Sequence, residues 1–172
     1  MHGKPDMLPY RRRQRSVAAV VLVIAAAAGL VLAACSPTPP AGAPLVTVYT
    51  NPSCQCCVEW IDHLKSAGFA VRTEHPDDLA KVRASLGVPE PYAACHTAVV
   101  QGRVIEGHVP AVDIERLLAD PGEARGLAVP AMPIGSPGME GPTAQGYRVY
   151  LLKADGSASL YARHEPAGTR AH

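Results

Sequence analysis

Three cysteines within four residues, Cys54-Gln55-Cys56-Cys57, form the densest group of reactive side chains in this chain, and Cys95-His96 follows downstream. Clustered thiols suit two kinds of chemistry. A thiolate is the nucleophile of disulfide exchange, and it is also a ligand that selects soft metals. Cys54 and Cys57 have C-x-x-C spacing, close enough for two sulfurs to form a disulfide or to grip one ion. Leu45–Thr50, just before them, is rich in β-branched and aromatic residues. Val58, Ile61 and Leu64 recur after them at helical spacing. The pair therefore opens a helix, whose free N–H groups and macrodipole favour thiolate over thiol. Either a metal site or a redox pair Cys54/Cys57 satisfies this pattern.

The surrounding residues bear on that choice. A third thiol, Cys56, adds little to a disulfide exchanger and can scramble its mixed disulfides, whereas a metal site can use it as a further ligand. Its other reading is a small buried hydrophobe. Cys95 and His96 both offer ligand atoms. Met132 and Met139 lie in a loop and carry thioethers that suit Cu(I), although methionine also fills gaps in cores. The metal candidates are thus Cys54, Cys57, Cys95 and His96, with Cys56, Met132 and Met139 as further ones. His108 sits before Pro110 at a hairpin-to-helix junction, where it either approaches the same end of the sheet or, more simply, orders the turn, and Trp60 reads as core. No nucleophile elbow, phosphate-cradling glycine loop or His-Glu-x-x-His motif occurs, so hydrolase and nucleotide chemistry find no support.

These residues need a scaffold. Leu45–Thr50 predicts a strand, Asn51-Pro52-Ser53 a break, and the next run a helix closed at Gly68. Phe69–Thr73 predicts a second strand. Pro76-Asp77-Asp78 opens a second helix with Leu79, Val82 and Leu86 on one face and Gly87 after it. Beyond a loop at Pro89–Ala94, Thr97–Val100 and Val104-Ile105 form a hairpin about Gln101-Gly102. Pro110 takes the first position of a third helix carrying Ile114, Leu117 and Leu118. This order, β-α-β-α-β-β-α, is that of a thioredoxin-like α/β fold with C-x-x-C at the first strand-to-helix junction. Thioredoxin-like enzymes commonly place a cis-proline beside the redox cysteines, and Ala94-Cys95-His96-Thr97-Ala98 has none, which favours coordination over exchange. Gly126–Gly146 is Gly-, Pro- and Met-rich without period and is expected to be a long loop. Tyr147–Lys153 and Ala158–Ala162 form a closing C-terminal β-hairpin.

The first 35 residues read as a leader. Arg11-Arg12-Arg13-Gln14-Arg15 precedes an uncharged, largely apolar run, Val17–Leu32, and Leu32-Ala33-Ala34-Cys35 matches a lipobox. The alternative is an uncleaved anchor, since Val17–Ala34 is near the minimum length for a spanning helix. Both place the rest outside the cytoplasm, in a periplasm or at a cell surface, and tethered to a membrane, the first through a lipid on Cys35. Residues 36–44 form a proline-rich linker, 45–164 one domain and 165–172 a disordered tail. Past Cys35, 11 Lys and Arg stand against 14 Asp and Glu, a net charge of about −3. With no basic patch remaining, nucleic-acid binding is excluded.

Several motifs together resemble a family. These are Thr50-Asn51-Pro52-Ser53-Cys54-Gln55-Cys56-Cys57-Val58-Glu59-Trp60, Gly87-Val88-Pro89, Cys95-His96-Thr97-Ala98, Ile105-Glu106-Gly107-His108-Val109-Pro110-Ala111, Gly126-Leu127-Ala128-Val129-Pro130 and Gly135-Ser136-Pro137-Gly138-Met139-Glu140. They resemble a bacterial family of uncharacterised function, described as extracytoplasmic, thioredoxin-like metal-binding proteins associated with copper handling. Gln55 stands where glycine is common and Ala94 where serine is common; neither change removes a ligand. The resemblance implies metal binding, with copper-transport or copper-resistance proteins as partners. Combined with the residues above, the expectation is a Cu(I) site built on Cys54, Cys57 and Cys95, completed by Cys56 or His96. Zn(II) is the alternative metal and thiol–disulfide exchange the alternative activity.

Overall fold

The computed structural model describes residues 42–166. The leader, Cys35 and most of the linker and tail lie outside the described residues. The chain enters at Pro44 and runs β1 Leu45–Thr50, α1 Gln55–Ser66, β2 Ala70–Glu74, α2 Leu79–Ser85, a 3-10 turn Glu90–Tyr92, β3 His96–Val100, β4 Arg103–Glu106 and α3 Ala111–Ala119. To this point the order is the expected thioredoxin-like one. It continues with β5 Ala124–Ala128, β6 Tyr147–Lys153 and β7 Ala158–His164. The seven strands make one mixed sheet, ordered β2-β1-β3-β4-β5-β6-β7. β1 pairs parallel with β2 and antiparallel with β3, and β4 pairs parallel with β5.

Apolar side chains cover both faces of the central strands. The larger core gathers Val46 and Val48, Trp60, Ile61 and Leu64 of α1, and Ile114 and Leu117 of α3. A smaller cluster on Val88, Val104, Ala128 and Leu152 packs with Leu86 and Tyr92. Leu79, Val82 and Leu86 of the second helix are only half-buried, so that helix covers the sheet lightly. Among the described residues no helix is long and apolar enough to cross a membrane.

Three expectations change. The stretch from Gly126 is not all loop, because Ala124–Ala128 forms β5, inserted between β4 and β6. It lacks a β-branched signature because its backbone lies very close to β4: a Cβ on Gly126 would run into the Val104 carbonyl. Val58 does not belong to the buried face of α1, being 45% exposed. The stripe is Cys57, Trp60, Ile61 and Leu64, so a thiol takes the place expected for valine. Pro110 serves as the N-cap of α3 rather than its first residue.

Candidate metal centre

The cysteine turn is set by its flanks. Asn51 Oδ1 accepts from the Ser53 backbone N–H at 2.9 Å and from Ser53 Oγ at 2.7 Å, folding the chain back after β1. Cys54 N donates to Asn51 O at 3.1 Å, and Cys54 becomes the N-cap of α1. Cys54 and Cys57 form a disulfide with Cα atoms 5.4 Å apart. Cys57 is fully buried, while Cys54 and Cys56 are half-buried. Cys56 Sγ lies 3.4 Å from Cys54 Sγ.

The hairpin of β3 and β4 brings the other groups. Cys95 immediately precedes β3, and its Sγ lies 3.5 Å from Cys57 Sγ. It also lies 3.1 Å from His108 Nε2 and 3.3 Å from His96 Nδ1. Ligand atoms of Cys54, Cys56, Cys57 and Cys95 fall within 4.8 Å of one another, as do those of Cys95, His96 and His108. Cys95 belongs to both groups.

The ring nitrogens can be assigned from their partners. His108 Nδ1 lies 2.7 Å from the Pro137 carbonyl, which only accepts, so Nδ1 carries the proton. In the neutral ring Nε2 is then a bare lone pair aimed at Cys95. His96 is completely buried, and burial, reinforced by His108, holds its pKa down at about 3. Its Nδ1 faces Cys95, and its Nε2 is buried with no hydrogen-bond partner. The His108 Nε2 lone pair, 3.1 Å from Cys95 Sγ, is a donor atom that suits a soft or borderline ion. Burial also lowers His108, opposed by its hydrogen bond to Pro137 and by Glu140 and Glu59. Trp60 closes the back of the site, its ring 4.3 Å from His96 and its indole N–H donating to Val109 O at 2.8 Å.

Burial, then the neighbouring Cys56, pushes Cys95 up to about 12. Cys95 immediately precedes a strand rather than opening a helix. It is a neutral thiol in this oxidised state, and a metal must displace its proton.

The long loop after β5 supplies a wall. Gly138 packs onto the first turn of α1, where a Cβ would come 2.7 Å from Cys56 O and Trp60 N. Its positive φ of 78° is a second reason for glycine there. Met139 lines an open cleft of about 420 Å³ with Gln55, Cys56, Glu59 and Glu140. Met132 is 49% exposed and lies outside that lining. The structure thus gathers Cys54, Cys56, Cys57, Cys95 and His96, places Met139 beside Cys56, and leaves Met132 apart. It adds His108, for which the sequence reading preferred a turn-ordering role over an approach to this end of the sheet. The signal was present, because counting outward from the two-residue turn at Gln101-Gly102 sets Cys95 opposite His108.

Comparison with known proteins bears on the same residues. Residues 92–139 match the model of a family described as a protein of unknown function, DUF411. A solved structure of copper resistance protein copG, form 2, is 42% identical, with a TM-score of 0.67 over 71% of this chain and 98% of the other. Form 1 is 41% identical, with a TM-score of 0.67 over 70% of this chain and 97% of the other. The chain belongs to the family of these copper resistance proteins. The DUF411 segment spans Cys95, His96, His108 and Met139, so most of the β-hairpin side of the site falls within it. No curated protein matched the chain.

Proposed function

We propose that this protein, once reduced, binds Cu(I) through Cys54, Cys57 and Cys95, with Cys56, His96 and His108 as further ligands, and that it sequesters or hands on the ion. The observation that carries this reading is the position of Cys95, whose sulfur lies 3.5 Å from Cys57 Sγ on one side and 3.1 Å and 3.3 Å from the His108 and His96 rings on the other. A disulfide exchanger has no use for that arrangement. The names of the two relatives favour copper as the ion. The lipobox at Cys35 supports a lipid-tethered protein outside the cytoplasm, where copper-transport or copper-resistance proteins would be its partners. The same donors suit Zn(II). Anaerobic titration of the reduced protein with Cu(I) and with Zn(II) against competing chelators decides between them. Tight Cu(I) uptake is expected, and no tight binding of either metal would overturn the reading.

The Cys54–Cys57 disulfide favours a second reading, thiol–disulfide exchange with Cys54 as the attacking thiolate and Cys57 resolving. A Cys57→Ser variant that trapped mixed disulfides with extracytoplasmic proteins would support it. Exchange activity unchanged by Cys54→Ser would exclude it.

A further inference from the structure

Behind the site lies an ion pair that the thiol chemistry does not use. Glu106, at the end of β4, is 0% exposed, and its partner Arg83 on α2 is 11% exposed. Both oxygens of the carboxylate are occupied. Oε1 accepts from Arg83 Nε at 2.8 Å and from the Ala94 backbone N–H at 2.7 Å, and Oε2 accepts from Thr97 Oγ1 at 2.6 Å. Arg83 Nη2 donates to the Ala94 carbonyl at 2.6 Å. The two side chains therefore hold both polar groups of Ala94, the residue next to Cys95. Thr97, on the other side of Cys95-His96, is tied to the same carboxylate. Gly107 permits the approach: it has φ +70°, and a Cβ there would come 2.7 Å from Ala94 Cβ and run into the Val129 carbonyl. Its N–H donates to His96 O at 3.0 Å.

Burying a carboxylate and a guanidinium is expensive unless every donor and acceptor finds a partner, and such pairs add little net stability. Apolar residues could fill this space. What the pair provides is direction, because a guanidinium donates along two fixed axes at once, here to Glu106 and to Ala94. We infer that Arg83 and Glu106 form a clamp on Ala94 that fixes the Cys95-His96 dipeptide and so sets where Cys95 Sγ and the His96 ring present their donor atoms. Neither residue belongs to the proposed ligand set; both are positioning residues. The clamp's effect on copper rests on the proposed metal binding, whereas its effect on Cys95 does not.

The test is a double-mutant cycle on the full chain. Arg83→Lys keeps a cation opposite Glu106 but cannot donate along both axes. Glu106→Gln is the second arm, with one carbonyl oxygen where the carboxylate serves three donors. Thermal melts show which variants are folded. Each folded variant is expected to weaken Cu(I) binding about tenfold in the otherwise native protein and clearly less in a Cys95→Ser background, where only His96 still depends on the clamp. A loss of equal size in both backgrounds would mean a general structural effect and would overturn the clamp. The second readout needs no metal. In reduced apoprotein, alkylation of Cys95, resolved by mass spectrometry, is expected to speed up about tenfold while Cys57 is unchanged. An unchanged Cys95 rate overturns the clamp. If the native protein takes up no Cu(I), the metal reading falls and alkylation still decides on the clamp.

Discussion

Cys95 is the residue on which the two readings of this site diverge most. An exchanger needs only Cys54 and Cys57, so Cys95→Ser should leave their disulfide able to form. A metal site loses a ligand that both donor groups share. Cu(I) retention is expected to weaken at least tenfold, about 1.4 kcal/mol, and equal affinity in a chelator competition would remove Cys95 from the ligand set. The same thiol makes uptake pH-dependent. Burial raises Cys95 to about 12, so the thiol form prevails at every working pH and each bound ion must displace its proton. Apparent Cu(I) affinity should therefore rise with pH, and the Cys95 proton contributes about tenfold per unit of that rise. Titration series between pH 6 and 8 on the native protein and on Cys95→Ser isolate this proton, since Cys54 and Cys57 release their own, and equal slopes would mean that Cys95 keeps its proton. The sequence showed these donor types plainly. It could not show that Cys56 and Cys54 lie half-open while Cys57 is sealed, because that follows from which side of α1 meets the sheet.

At the scale of elements, the hairpin was legible and the strand beside it was not. Gln101 and Gly102 both have positive φ, 47° and 76°, as a tight two-residue turn demands. That turn fixes the register Val100↔Arg103 through Thr97↔Glu106. Strand alternation then brings the Cys95 thiol and the His108 ring to the same end, a consequence readable from spacing alone. β5 was hidden for the opposite reason. Its alternating Ala124, Gly126 and Ala128 are small, at Gly126 because the Val104 backbone leaves no room for a Cβ, and small residues carry no strand signal. Gly126→Ala should accordingly cost about 1–3 kcal/mol by overpacking against Val104. Chemical denaturation measures this, and a neutral result would mean that β4 and β5 can move apart. The Arg83–Glu106 pair was equally unreadable, since α2 and β4 meet only once the sheet has formed.

For the whole molecule, the buried imidazoles set a limit on the acid side. His96 is held neutral in the fold, with its pKa near 3 against an ordinary 6.5. The unfolded chain therefore takes up a proton that the folded one refuses. Stability from this residue is full above about pH 6.5 and is lost as pH falls towards 3. Glu106, whose carboxyl burial pushes upward, works in the opposite sense, so the comparison must isolate the histidine. Between pH 7 and pH 4, the apoprotein's Tm should drop by at least about 4 °C more than that of His96→Asn. Parallel melting curves would assign the acid limit elsewhere.

β1 has a mechanical consequence as well. Its six residues, Leu45–Thr50, separate the point where the chain joins the sheet from the cysteine turn by about 20 Å. β2 and β3 flank it along that length. A pull on the chain ahead of Leu45 would act in shear, spread over hydrogen bonds on both sides that must slip together. Tugging at the entry end is thus absorbed by the sheet before it can distort the turn that holds the sulfurs.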